Sequence, residues 1–353
     1  MDQRNWDEFK FRDYKETNHT PPVRYWQEYL QPCLYLTIYF HYTDDELILD
    51  FYHRALELLG PVFTFHNGGT TTGEMRIRSK EKALKQLPDF LASKQTFLWR
   101  RLANRGDVGI KDDEGGIGDA SFECQLRKHP VSPKNLKADA ELAAGYRAEL
   151  IAAGKEQLYK GITVSEMGIC MPPGTFTSAA ALLDWVKGFR ILQSGSFFSA
   201  AAGYAMVKWE GYSNTEAKHK VNRLLAEHPG FDFRIPGIVV MLGRRFSLEK
   251  NCFVPQLKRI NWLNIINDRA LALLGGEAAF REQAARYPAL TLHQLPDGGY
   301  IVQAGDTPGI GDGGKAPAAY YDAAALLQPL LLVPRTEDYL DADGWELHFQ
   351  KKP

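Results

Sequence analysis

Hydrophobic positions along this chain recur with two periods, one of a strand and one of a helix, and the order of the predicted elements follows from them. The run CLYLTIYF at Cys33–Phe40 is β-branched and aromatic, hence a strand, and the mixed charges and aromatics of residues 1–32 predict an arm that packs on the body. Leu47, Phe51, Ala55 and Leu58 then stand at helical spacing until Gly60-Pro61, which predicts a helix over Leu47–Leu59. Val62–His66 and Glu74–Arg78 flank the turn-rich HNGGTTTG and predict a short strand pair, and Lys80–Ala92 predicts a helix interrupted at Pro88. Leu136–Leu158, rich in Ala, Glu and Leu, predicts a further helix.

The same alternation continues in the second half. Ile162–Met171 predicts a strand, Ser178–Leu192 a helix with Ser178 as N-cap, and Ser196–Trp209 a strand whose small residues let another element approach. Glu216–Glu227 predicts a helix ended by His228-Pro229-Gly230, and Gly237–Gly243 a strand. In KRINWLNIINDRALALLGG, Lys258–Gly276, the residues Leu263, Ile266, Ala270 and Leu273 recur at helical spacing before two glycines. That predicts one helix buried along one side, with Trp262 at its start. Thr291–Leu295 and Tyr300–Ala304 predict a hairpin turned at Pro296–Gly299, and Ala319–Leu331 a closing helix. The fold class expected is α+β, with successive strand-helix-strand units building a mainly antiparallel or mixed sheet covered by helices. The chain divides into residues 1–160, an α/β region carrying an acidic loop at 106–123, and residues 161–353, unless both form one continuous domain.

Composition narrows the class without naming a function. The 353 residues are 44% hydrophobic and 24% charged, which is globular, and a net charge of -1 favours neither nucleic acid nor a membrane surface as partner. The N-terminal thirty residues hold no apolar run of the kind a signal peptide needs, and no run nears the roughly 18 residues of a membrane span. A cytoplasmic protein is expected. The four cysteines, Cys33, Cys124, Cys170 and Cys252, are scattered, so they predict buried free thiols and neither a zinc site nor a disulfide framework.

Few motifs carry chemistry. GIGDGGK at Gly309–Lys315 has the glycine and lysine spacing of a phosphate loop, but Ala316 replaces the hydroxyl residue and Pro317 follows, so a surface turn is the better reading and nucleotide binding the weaker one. Gly106–Glu123 concentrates Asp107, Asp112, Asp113, Glu114, Asp119 and Glu123 in what reads as an exposed acidic loop. Asp119 with Glu123 defines an alternative, a metal-dependent enzyme, although neither an EF-hand pattern nor a nuclease lysine accompanies them. The nine histidines show no H-E-x-x-H, and Ser196 and Ser199 lack a nucleophile elbow.

An ordered set of blocks is more telling: SGSFFSAAAGYAMVKW at Ser194–Trp209, HPGFDF at His228–Phe233, INWLNIINDRALALLGG at Ile260–Gly276, GGYIVQAGDTPGIGDGG at Gly298–Gly314 and YYDAAALLQPLLL at Tyr320–Leu332. Together they resemble the TsiV-like family of type VI secretion immunity proteins. The resemblance implies a cytoplasmic, non-enzymatic antidote with no cofactor, no bound metal and no direct contact with nucleic acid or membrane. Its partner would be a cognate antibacterial toxin, a nuclease of the VRR-Nuc or a related kind. A nuclease presents a basic groove to DNA phosphates, so carboxylates are the complementary groups, and Asp112, Asp113, Glu114, Asp119 and Asp312 are the candidate contacts.

Overall fold

The computed structural model describes residues 5–16, 24–40, 44–67, 74–76, 79–95, 97–103, 120–127, 165–208, 215–233, 246–247, 252–253, 255–332 and 349. The predicted helix Leu136–Leu158, the predicted strand Gly237–Gly243 and the acidic tail after Arg335 lie outside them.

After a 3-10 turn at Trp6–Phe9, strands β1 (Phe11–Glu16) and β2 (Arg24–Phe40) form a hairpin. Helix α1 (Asp45–Leu59), strands β3 (Phe65–Asn67) and β4 (Glu74–Arg76), helix α2 (Lys80–Ala92) and strands β5 (Phe97–Ala103) and β6 (Ser121–Arg127) follow. Next come β7 (Ser165–Met171), α3 (Ala179–Lys187), α4 (Arg190–Gln193), β8 (Ser199–Lys208), α5 (Thr215–Glu227) and β9 (Asp232–Phe233). The remainder comprises the small pair β10 (Phe246–Ser247) and β11 (Cys252–Phe253), then β12 (Leu263–Ile266), α6 (Asp268–Leu273), α7 (Glu277–Ala284), β13 (Leu290–Gln294), β14 (Tyr300–Ala304) and α8 (Ala318–Leu327). One 12-stranded sheet runs β13-β14-β12-β8-β2-β7-β6-β5-β3-β4, with β1 beside β2 and β9 beside β8. Among the described residues only the β8–β9 contact is parallel within it, so the α+β expectation holds.

β2 is the axis of this sheet. Its second half pairs with β7 along one edge and β8 along the other, and residues on both of its faces are buried, so CLYLTIYF shows no alternation. Leu34, Leu36, Ile38 and Phe40 enter the main core under α1, where the Phe51 ring lies 4.7 Å from Phe189 and Tyr52 lies 4.9 Å from Phe122. Cys33 and Tyr35 point the other way, into a small cluster with Cys170 and Ala205. Cys33, Cys124 and Cys170 are buried thiols, as their scatter predicts. The N-terminal arm does pack on the body: Phe9 is buried, and the Trp6 ring lies 4.6 Å from that of Tyr204.

Several boundaries differ from the sequence pattern. Pro88 does not interrupt α2; the Leu84 carbonyl that its missing N–H would have served accepts instead from the Tyr52 hydroxyl, at 2.9 Å. Residues 178–192 form two helices, not one, parting at Gly188-Phe189; the Ser178 hydroxyl caps the first, accepting from the Ala181 N–H. The largest correction falls on Lys258–Gly276. Leu263–Ile266 is a strand between β8 and β14, buried on both faces, and only Asp268–Leu273 is helical. Asn267 makes the switch, since its Oδ1 accepts from the Ala270 N–H at 3.0 Å and its Nδ2 donates to the Phe197 carbonyl at 2.6 Å. The closing glycines are read correctly, Gly275 and Gly276 having φ of 95° and 88°. Glu123 also moves: it belongs to β6, opposite Arg101 and Gly168, and Ala120–Phe122 before it are buried, so the loop read over 106–123 ends earlier than its composition suggests.

Candidate partner-binding site

The blocks of the family resemblance converge at one end of the sheet. Helix α5 stops at His228-Pro229-Gly230, and the Gly230 N–H donates to the Ile310 carbonyl at 2.7 Å. A Cβ on Gly230 would sit 2.6 Å from the Gly309 oxygen and 2.7 Å from the Ile310 carbonyl carbon, so glycine alone allows these two backbones to touch. The His228 Nδ1–H donates to the Gly311 carbonyl at 2.9 Å, and the Gly314 N–H to the Glu227 carbonyl at 2.9 Å. From the other side the Tyr320 hydroxyl donates to the Gly309 carbonyl at 3.1 Å, the Tyr321 hydroxyl accepts from the Ala316 N–H at 3.1 Å, and the Trp262 indole N–H donates to Gly305 at 3.0 Å. Burial pushes the Tyr320 phenol up, well beyond its ordinary value.

The loop 305–317 is therefore a rigid projection. Its tip is a two-residue turn in which Asp312 and Lys315 exchange both backbone hydrogen bonds at 2.9 Å, while Gly313 and Gly314 take φ of 55° and 77°. Positive φ at both central positions is the type I′ pattern, which explains GIGDGGK as a hairpin tip, not a phosphate cradle. Asp306, Asp312 and Lys315 are exposed on it, and Glu227 is exposed beside it. A rigid exposed loop on a packed scaffold is the usual form of a recognition surface.

Beneath, on the small-residue face of β2, lies a buried polar cluster. The Tyr35 hydroxyl donates to Asp232 Oδ2 at 2.5 Å, and Lys258 Nζ meets Asp232 Oδ1 at 2.6 Å and the Phe233 carbonyl at 2.8 Å. Burial first, then the Asp232 charge and hydrogen bond, holds the Tyr35 phenol well above its usual range. A cavity of about 10 Å³, room for a single water, is lined by Thr37, Ser199 and Asn261 among others. Among the described residues, Ser199 Oγ and Asn261 Oδ1 have no hydrogen-bond partner there. Next to it the Arg259 guanidinium donates to the Pro229 carbonyl and lies 4.8 Å over the Phe349 ring, fastening the HPG turn from below.

Of the predicted contact residues, the structure places Asp312 at the loop tip, and Asp112, Asp113, Glu114 and Asp119 lie outside the described residues. Glu227, His228 and Asp306 were not singled out from the sequence. The only signal was the helix stop HPG, because the loop that His228 meets is some eighty residues away. Glu227, His228 and Asp312 bring donor atoms within 4.8 Å of one another. Among the described residues no helix is long and apolar enough to cross a membrane.

The architecture is a broad antiparallel sheet that carries an exposed loop locked by glycines. Residues 193–351 match the family TsiV, described as type VI immunity for VRR-NUC, so the resemblance read from the ordered blocks holds over that range. The fold is similar to that of the Pseudomonas aeruginosa T6SS protein PA0821, with a TM-score of 0.61 at 18% identity, over 92% of this chain and 83% of that one. No curated protein matches the chain.

Proposed function

We propose that this chain is an immunity protein that binds a cognate type VI secretion toxin, a nuclease, in the cytoplasm and covers the surface the toxin needs for DNA, performing no chemistry itself. The match of residues 193–351 to a family of type VI immunity for VRR-NUC is the observation that carries this reading. The exposed carboxylates Asp306 and Asp312 on a rigid loop, with Glu227 exposed beside it, support it, because an acidic projection suits a groove built for phosphates. Antidote function demands tight association; nanomolar affinity corresponds to about 12 kcal/mol, so apolar anchors accompany the charges.

Co-expression tests it. The chain should restore growth to cells making the nuclease encoded beside it, co-purify with that nuclease, and abolish its DNA cleavage in vitro. Charge reversals assign the surface: Asp306→Lys with Asp312→Lys in one variant, and Asp112→Lys, Asp113→Lys, Glu114→Lys and Asp119→Lys in another. The variant that weakens the complex and flattens its salt dependence marks the contact. Failure of the unaltered chain to bind or protect would end the proposal.

A further inference from the structure

We infer that Glu227, His228 and Asp312, with the Gly311 carbonyl, form a divalent-cation site that clasps the HPG turn to the loop tip. The donors come from separate parts of the chain. Glu227 ends α5, His228 begins the turn, and Gly311 and Asp312 belong to the loop, yet the side-chain donors lie within 4.8 Å of one another. His228 Nδ1 stands 3.9 Å from Asp312 Oδ1 and 2.9 Å from the Gly311 oxygen. Two donors held at right angles about 2.1 Å from a shared cation are themselves about 3 Å apart, so the nitrogen and the carbonyl already have the spacing of neighbouring ligands. Binding moves the imidazole proton from Nδ1 to Nε2 and leaves the Nδ1 lone pair on the metal.

The imidazole is preset. His228 is 8% exposed and held edge-on by Phe9 at 5.2 Å and Phe231 at 6.3 Å, so its Nδ1 edge is fixed toward the cluster. Both carboxylates are exposed, and Asp312 closes the remaining gap by exchanging the Gly313 N–H that its Oδ1 accepts at 2.9 Å for the cation. Their placement is also electrostatically unbalanced. Glu227 sits at the negative end of the α5 dipole, and among the described residues neither it nor Asp312 has an ion pair with a lysine or arginine. One imidazole nitrogen with carboxylate and carbonyl oxygens suits a first-row ion such as zinc or manganese better than magnesium, whose sites are all oxygen. Positions not filled by these donors would be taken by water.

The site shares Glu227 and Asp312 with the proposed contact surface, but its test uses the full chain without any toxin, so its failure and that of the neutralising role are distinguishable. Calorimetric titration with zinc or manganese chloride should show binding, and the melting temperature should rise with added metal. Glu227→Gln and Asp312→Asn, both on exposed side chains, should each weaken binding about tenfold or more while leaving the metal-free melting temperature unchanged. No binding up to roughly 1 mM metal, which corresponds to about 4 kcal/mol, overturns the inference. Equal binding by a variant carrying both substitutions overturns it as well, since the ion would then sit elsewhere.

Discussion

The central strands hold their two faces together by different means. On the face under α1, Leu36, Ile38, Phe51, Phe122 and Phe189 interlock as large apolar side chains, and stability there follows from volume. On the opposite face the sheet presents Cys33, Cys170 and Ala205, and the space is filled by Tyr35, Asp232 and Lys258, which must satisfy one another. The first face tolerates exchange of one hydrophobe for another; the second depends on particular atoms meeting. That second face supports the turn from which the candidate binding loop is hung, so the binding end is the fussier half of the molecule.

The sharpest way to break this contrast is to remove a partner on each side. Asp232→Ala strands the Lys258 ammonium, whose side chain is 8% exposed, and should cost about 3–5 kcal/mol in urea unfolding. Asp232→Leu combined with Lys258→Met and Tyr35→Phe, which removes every partner of the cluster together, should recover most of that loss, whereas Phe122→Ala, also costing about 3–5 kcal/mol, should be eased only by another large hydrophobe. Gly230→Ala, which drives a methyl into the 309–310 backbone, should cost about 3 kcal/mol and loosen the loop, seen as faster amide exchange at Ile310 and Gly311.

Alkali should act through the buried phenols. The folded state keeps the Tyr35 and Tyr320 protons while the unfolded chain releases them near the usual 10.0, so stability is full below that pH and falls as pH rises beyond it. The melting temperature should therefore hold up to about pH 10 and fall progressively above it, and Tyr35→Phe should make the fall shallower. At the small end, Ser178→Ala should cost about 1 kcal/mol by uncapping α3. Asp312→Asn should change stability by less than about 0.5 kcal/mol while weakening any complex made through the loop tip.

What the sequence disclosed follows the same division. Strand β2, helix α1 and the β13–β14 hairpin were legible because apolar periodicity and turn residues encode them directly. Lys258–Gly276 misled because a strand buried on both faces has no period-2 signature, and Leu263 and Ile266 fell by chance into register with the helix that follows. Pro88 misled because the rescue of the Leu84 carbonyl comes from Tyr52, on another helix. At the candidate site Asp312 was noticed within a glycine-rich string, but its neighbours Glu227 and His228 were not. Their association depends on a backbone contact at Gly230 that no local pattern announces.

The length of β2 has one more implication. Its 17 residues lie within the chain's first 40 positions, yet its hydrogen bonds run to β7 and β8, and β8 is where the family-matched portion begins its own strands. A fragment starting at residue 193 would be missing its middle plank, leaving β8 with a raw edge prone to clumping. Supplied as two separate polypeptides, the halves should find each other and reconstitute the whole, which makes the chain a natural candidate for a split reporter.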